Sequence, residues 1–259
     1  MPVEVLDQDS EVELEQNQPA TLRIEIRDQE GLGLAGRVDM SGPWGRRLFV
    51  VDDLEIQVPE GEYAFTASRG WHYSVEQRTV QLAPGETTTI SFRLEKHIDL
   101  PGWTSGEFHQ HASPSLDSQV SVEDRVLSNL VEGVGFMAPS DHDIIFDYAE
   151  VIEKMGLEDR ISAPLIGIEI SPLITHVGAY GIPYDPFAPA GGAPTLAREE
   201  NGVWQGLTVP QLVALARDMG AEVIQMNHPR ESPDGYFTHT GYGSLTDIND
   251  LEPREWTSD

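Results

Sequence analysis

Short motifs that combine histidine with carboxylates recur along this chain, each at or near the end of an apolar segment that is typical of a β-strand. They contain five of the eight histidines. Imidazole and carboxylate groups at several strand ends can act together only if the fold brings those ends to one place. The motifs are His109-Gln110-His111, Ser140-Asp141-His142-Asp143, Gly167-Ile168-Glu169, Thr175-His176 and Asn227-His228-Pro229.

The charge of the chain restricts its partners. The 259 residues contain 44 acids and 16 bases, which gives a formal net charge of −28. Such a surface repels nucleic acid and anionic membranes, so we expect neither as a partner. The absence of cysteine excludes thiolate ligands and a cysteine nucleophile. No apolar run approaches the ~18 residues of a membrane span.

Residues 1–97 predict a small all-β sandwich. Short segments with alternating apolar residues are separated by turn residues such as those at 28–33 and 83–86, a pattern that is typical of antiparallel sandwiches. Residues 1–18 are acidic and poor in apolar residues, and form either an extra edge strand or the end of an upstream domain. The predicted strands lie at 21–27, 53–58, 62–67, 75–82 and 87–94.

Residues 98–259 predict an α/β domain. Expected strands at 106–111, 135–140, 163–171, 176–182 and 221–226 alternate with expected helices at 121–134, 145–155 and 209–219. This alternation favours parallel strands with helices outside them. The loop at 184–206, rich in proline, glycine and alanine, is either a lid over a site or a disordered insertion.

The histidine motifs predict a metal centre. His109 and His111 are two residues apart on a strand, so their side chains point to one face and can bind one ion. Burying this many ionisable groups without a metal would cost several kcal/mol unless each were paired. Asp141 and Asp143 are candidates for orienting a ligand histidine.

In order and spacing, these motifs resemble those of the polymerase-and-histidinol-phosphatase (PHP) superfamily, and within it the CehA/McbA-like metallohydrolases. The resemblance covers residues 102–230, and Gly61-Glu62-Tyr63, Arg69-Gly70 and Tyr73 resemble a carboxypeptidase regulatory-like, transthyretin-type sandwich. It implies a distorted (β/α)7 barrel that holds two or three divalent ions, commonly zinc, manganese or iron.

The resemblance also implies a role for each residue. His109 and His111 would bind a first ion, Glu169 would bridge two ions, and His176 and His228 would complete the second. Asp117 and His142 would bind a third ion, with Asp141 as an orienting acid. The family ends its site with a late Asp-x-His, and nothing after His228 has that form. We therefore expect a barrel that is incomplete at its C-terminal end.

The expected activity is hydrolysis of a small-molecule ester by a metal-activated water. The family implies a phosphoester, whereas the CehA/McbA-like branch implies a carboxyl ester or carbamate. Arg230 is the candidate for binding an anionic group. The alternative is a non-catalytic surface or binding protein with a degenerate metal site. The oligomeric state and the compartment stay open, with a small preference for a periplasmic or extracellular location.

Overall fold

The computed structural model describes residues 18–172, 175–196, 198–200, 203–205, 207–230 and 235–236. The chain consists of two compact units, Met1–Asp99 and Leu100–Asp259. The expected edge strand before residue 18 and the expected end of the barrel after residue 236 lie outside the described residues. Four residues of the expected lid, 197, 201, 202 and 206, also lie outside them.

The described residues of unit 1 form a sandwich of seven strands. One sheet has the order β4-β1-β7 and the other has the order β3-β2-β5-β6. All pairs are antiparallel except β1 with β7, which run parallel. The strands are β1 (Ala20–Arg27), β2 (Ala35–Ser41), β3 (Arg46–Val51), β4 (Asp53–Val58), β5 (Gly61–Ser68), β6 (Glu76–Leu82) and β7 (Thr87–Arg93).

One apolar core lies between these two sheets. In β1, Leu22 and Ile24 are fully buried and their neighbours in sequence point outward, as the alternation predicts. From the opposite sheet, Tyr63 and Phe65 of β5 pack into the same core. Burying each such side chain stabilises the fold by about 1.5–3 kcal/mol, so the sandwich rests mainly on this core.

Unit 2 is a mixed, sheet-rich α/β unit. The strands form a parallel pair β8-β9, an antiparallel sheet β10-β11-β14 and a hairpin β12-β13. The strands are β8 (Gly106–Glu107), β9 (Phe136–Met137), β10 (Gly167–Ile170), β11 (Val177–Tyr180), β12 (Arg198–Glu200), β13 (Val203–Gln205) and β14 (Val223–Met226). The helices are α1 (Val122–Val131), α2 (Tyr148–Met155) and α3 (Val209–Asp218), with a short 3-10 turn at Pro189–Gly192.

The expectation of parallel strands throughout unit 2 was wrong. Parallel pairing occurs between β8 and β9 and in the isolated bridge between His142 and Glu169. However, β11 runs antiparallel to both β10 and β14. Only six residues, 171–176, separate β10 from β11. A parallel connection needs a dozen or more residues, so this segment can only reverse the chain.

Capping residues determine where the helices begin. The Ser121 side chain accepts a hydrogen bond from the Asp124 N–H, which confirms the predicted start of α1. Helix α2 begins at Tyr148, later than predicted, because Asp147 is its N-cap. Thr208 forms a capping box with Gln211 at the start of α3. Among the described residues, no helix is long and apolar enough to cross a bilayer.

Candidate metal centre

Glu169 lies at the centre of the histidine cluster. It belongs to β10 and its side chain is fully buried. Its oxygen Oε2 lies 3.3 Å from Nε2 of His109, 3.2 Å from Nε2 of His111 and 3.5 Å from Nδ1 of His142. This side of the carboxylate therefore faces imidazoles from the first two motifs.

The other oxygen of Glu169 faces a different pair of histidines. Oε1 lies 3.3 Å from Nδ1 of His176 and 3.2 Å from Nε2 of His228. The antiparallel register produces this arrangement, because His176 precedes β11 and His228 follows its partner strand β14. The side-chain amide of Asn227 also donates a 2.8 Å hydrogen bond to Oε1.

Asp117 forms a third group of neighbouring side chains with His111 and His142. Oδ1 of Asp117 is 3.6 Å from Nδ1 of His111, and Oδ2 is 3.5 Å from Nε2 of His142. The Asp117 side chain is half exposed, in contrast to the buried Glu169. Ser115 donates a 2.6 Å hydrogen bond to Asp117, which holds the carboxylate toward the two rings.

Buried polar contacts hold the first motif against the second. The backbone N–H of Gln110 donates to the Ser140 hydroxyl at 2.7 Å, and that hydroxyl donates back to the Gln110 carbonyl at 2.8 Å. The Gln110 side-chain oxygen accepts a 2.6 Å hydrogen bond from Asn129 of α1. Because all three side chains are buried, these bonds fix the position of His109 and His111 relative to His142.

Asp141 lies behind the imidazoles. Its carboxylate accepts hydrogen bonds from the Ala112 N–H at 2.8 Å and from the Tyr148 hydroxyl at 2.9 Å. Burial raises the pKa of Asp141, and these two donors partly oppose that shift. Asp141 thus anchors the backbone that follows His111, and it is a positioning residue.

Two serine hydroxyls select the tautomers of two imidazoles. Ser171 donates to the Glu169 carbonyl at 3.0 Å, so its contact with Nδ1 of His142 requires that nitrogen to carry the proton. The Ser115 hydroxyl donates its proton to Asp117. Nδ1 of His111 lies 3.3 Å from the Ser115 oxygen, so this nitrogen carries a proton and donates it to that oxygen. Each ring then presents an unprotonated Nε2, the form that binds a metal.

The electrostatics of Glu169 fit a metal ligand. Burial alone would raise the pKa of Glu169, but the imidazoles of His109, His111 and His176 together lower it well below its usual range. Within the described part of the chain, Oε2 has close imidazole neighbours but no hydrogen bond of good geometry. A buried carboxylate oxygen without such a bond, facing imidazole nitrogens, could hold a divalent transition metal.

The neighbouring ionisable groups respond to the same surroundings. The neighbouring Glu169 carboxylate raises the pKa of His109, whereas burial lowers the pKa of His142. Burial acts to raise the pKa of Asp117, but the Ser115 hydroxyl and the nearby imidazoles lower it overall. Burial also raises the pKa of Asp143, whose carboxylate accepts the Ser171 N–H.

Comparisons with known proteins identify no family for this chain. No family model matches it, and no curated protein matches it significantly. Among solved structures, the TIE protein of Bacillus anthracis matches 30% of this chain and 17% of its own length, with 16% identity and a TM-score of 0.28. The minor pilin GBS52 of Streptococcus agalactiae matches 34% of this chain and 49% of its own, with 15% identity and a TM-score of 0.28.

A DUF3823 family protein from Parabacteroides merdae matches 32% of this chain and 47% of its own, with 19% identity and a TM-score of 0.25. The chain therefore spans less than half the length of each of these three proteins. At these TM-scores the similarities carry no argument about fold or function.

The structure brings together the seven predicted metal ligands, and Asp141 and Arg230 are not among them. Asp141 lies behind the cluster, and Arg230 is an exposed residue two positions after His228. The seven residues form three overlapping groups whose ligand atoms lie within 4.8 Å of one another: His109 with Glu169 and His228, His111 with Asp117 and His142, and His142 with Glu169 and His176.

Sequence reasoning missed the residues that support these ligands. Ser115, Ser171 and Tyr148 have no distinctive spacing, and their roles depend on contacts between distant segments. Asn227 did have a signal, because it stands directly before His228 at the end of a predicted strand. A polar side chain beside a ligand is a reasonable candidate for a hydrogen bond to another ligand.

Proposed function

We propose that this chain is a metal-dependent hydrolase that acts on a small-molecule ester. The observation that carries the proposal is the position of Glu169, whose two oxygens face two separate sets of imidazoles. A buried carboxylate between two imidazole sets is suited to bridge two divalent ions. A single structural site would need only one such set.

The family resemblance suggests the ligand sets, and the contacts around Glu169 and Asp117 support them. His109, His111 and Oε2 of Glu169 would hold one ion, and Oε1 of Glu169 with His176 and His228 would hold a second. His142 and Asp117 would hold a third. Imidazole and carboxylate ligands suit zinc, manganese or iron.

The proposed family is the PHP superfamily, in its CehA/McbA-like branch. The order and spacing of the motifs support it, and unit 2 would then be a distorted, C-terminally incomplete (β/α)7 barrel, from which the antiparallel pairing of β11 with β10 and β14 departs. Unit 1 would be the carboxypeptidase regulatory-like sandwich that precedes it. The parallel bridge between His142 and Glu169 supports adjacent barrel strands at the ligands.

Divalent ions held by these residues would lower the pKa of a bound water and polarise an ester oxygen. The side chains of the protein supply the geometry. Glu169 holds the two imidazole sets together, the Asn227 amide fixes the orientation of its carboxylate, and Asp141 fixes the backbone after His111. The substrate is a phosphoester, or a carboxyl ester or carbamate.

A cleft beside the ligands has the size for such a substrate. Its volume is about 580 Å³, and its walls include His109, His111 and Asp117. Pockets for small molecules are typically ~300–1,000 Å³. The substrate would therefore reach the metal centre along this cleft.

The test is hydrolysis of aryl phosphomonoesters, aryl carboxyl esters and aryl carbamates by protein loaded with zinc, manganese or iron. We expect turnover of at least one class that chelation abolishes and that Glu169→Gln lowers at least ~100-fold, as for loss of a metal site. Glu150→Gln is the matched control, because Glu150 is an exposed acid paired with Lys154.

Equal rates in chelated and metal-loaded protein would contradict the proposal. Bound metal without turnover of any class would instead favour the non-catalytic binding protein. Both outcomes can be read from the same preparations, because metal content and rate are measured independently.

A further inference from the structure

Among the described residues that line the 580 Å³ cleft, Arg125 carries the one guanidinium or ammonium group. It lies on α1 and is partly buried. Its Nε donates a 2.9 Å hydrogen bond to the carbonyl of His111, one of the proposed ligands. The guanidinium is therefore anchored at the edge of the metal centre.

The rest of the Arg125 guanidinium is available to a ligand. Within the described part of the chain, its two terminal nitrogens make no hydrogen bond and no ion pair with a carboxylate. Other arginines of this chain, whose formal net charge is −28, do pair with carboxylates. Arg23 and Arg78, for example, each contact a glutamate. An arginine anchored through Nε keeps a pair of N–H groups whose geometry matches an oxyanion.

The other lining residues indicate where an anion would lie. Asp117 belongs to the proposed ligand set, and Glu107 accepts a 2.7 Å hydrogen bond from the His109 N–H. Glu132 is seven residues after Arg125, so it lies roughly 10 Å further along the helix axis. An oxyanion is thus favoured at the end of the cleft near Arg125 and the ligands, and disfavoured near Glu132.

We propose that Arg125 binds the phosphoryl group of the substrate, which makes the substrate a phosphoester. This inference rests on the proposed function and selects one of its substrate classes. Two oxygens of the phosphoryl group accept hydrogen bonds from the terminal nitrogens of Arg125, while the group faces the ligand side of the cleft. Arg125 thereby takes the role that the sequence suggested for the exposed Arg230.

The test measures binding of inorganic phosphate to the metal-loaded full chain by isothermal titration calorimetry. We expect Arg125→Gln to weaken phosphate binding at least ~10-fold, because a charge-assisted bidentate contact is lost. Arg125→Lys keeps the positive charge but loses the paired N–H groups, so its phosphate affinity should lie between those of the wild type and Arg125→Gln. Arg217→Gln is the control, since it removes one exposed positive charge from α3, and should bind phosphate like the wild type.

Metal content is measured on the same samples. Equal phosphate affinity in the wild type and Arg125→Gln would overturn the inference. Loss of metal by Arg125→Gln would also overturn it, because the residue would then act only by holding His111. A wild-type protein without bound metal contradicts the proposed function. In that case Arg125-dependent phosphate binding still supports the inference, and its absence overturns it.

Discussion

Oε1 of Glu169 lies 3.2 Å from Nε2 of His228, although 59 residues separate them in sequence. The contact depends on two antiparallel strand pairs, β10 with β11 and β11 with β14. Because each pair has a fixed register, the sheet brings the end of β14 to the carboxylate on β10. The proposed second ion therefore depends on the register of this small sheet.

Ser171→Ala should weaken metal binding without unfolding the protein. The hydroxyl holds the proton on Nδ1 of His142, and its loss allows the other tautomer, which cannot bind an ion through Nε2. We expect a loss of roughly 10–100-fold in affinity for the ion bound by His142, as is typical for a supporting hydrogen bond. The measurement is zinc titration against a competing chelator.

Ser171→Thr retains the hydroxyl and should recover most of the zinc affinity. Ser41→Ala, at an exposed residue at the end of β2 in the sandwich, is the control and should bind zinc like the wild type. If Ser171→Ala binds zinc as tightly as Ser41→Ala, the hydroxyl does not select the tautomer.

Tyr148→Phe should destabilise unit 2. The Tyr148 hydroxyl donates a hydrogen bond to the buried carboxylate of Asp141. Without this hydroxyl, the buried Oδ2 of Asp141 loses a hydrogen-bond donor. We expect a loss of about 1–3 kcal/mol in the free energy of unfolding, measured by urea denaturation with circular dichroism. Tyr184→Phe is the control, because Tyr184 is only partly buried, and its change should stay within about 0.5 kcal/mol. Equal stabilities for the two variants would rule out this role for Tyr148.

Gly167→Ala should displace the strand that carries Glu169. A Cβ at this position would lie 2.4 Å from Cδ1 of Tyr180 and 2.5 Å from the carbonyl oxygen of Pro139. The backbone atom cannot rotate away, so β10 must shift, and we expect a cost of about 1–3 kcal/mol with weaker metal binding. At Gly45 the nearest atom is the Met40 carbonyl oxygen at 3.4 Å, so Gly45→Ala serves as the control. Wild-type stability and metal affinity in Gly167→Ala would show that the strand has room to adjust.

Local patterns in the sequence predicted the parts of the fold that local physics determines. The alternation in β1 and the cap at Ser121 involve neighbouring residues only, and both were confirmed. Strands β2 and β3 were not predicted. Gly36 and Arg37 interrupt the apolar alternation of β2, and β3 begins with two charged residues, Arg46 and Arg47. Their pairing with each other and with β5 stabilises them as strands.

The candidate site likewise has features that the sequence predicted and features that depend on contacts between distant segments. The ligands could be found because His109, Glu169 and the other proposed ligands stand at strand ends in recognisable motifs. The direction of β11 differs from the prediction, because alternating strands and helices suggest parallel pairing, whereas six residues between β10 and β11 are too few for a parallel connection. The role of Arg125 depends on a cleft that forms only when α1 packs beside His111.

Metal content tests the central claim most directly. The full chain, purified without chelator or metal-affinity resin, is analysed for zinc, manganese and iron beside Glu169→Gln and Glu150→Gln. We predict at least one equivalent of metal in the wild type and in Glu150→Gln, and loss of most of it in Glu169→Gln, because Glu169 contacts both imidazole sets. Metal-free wild-type protein that also fails to bind these ions when they are added would contradict the account. Equal metal content in Glu169→Gln and the wild type would contradict it as well.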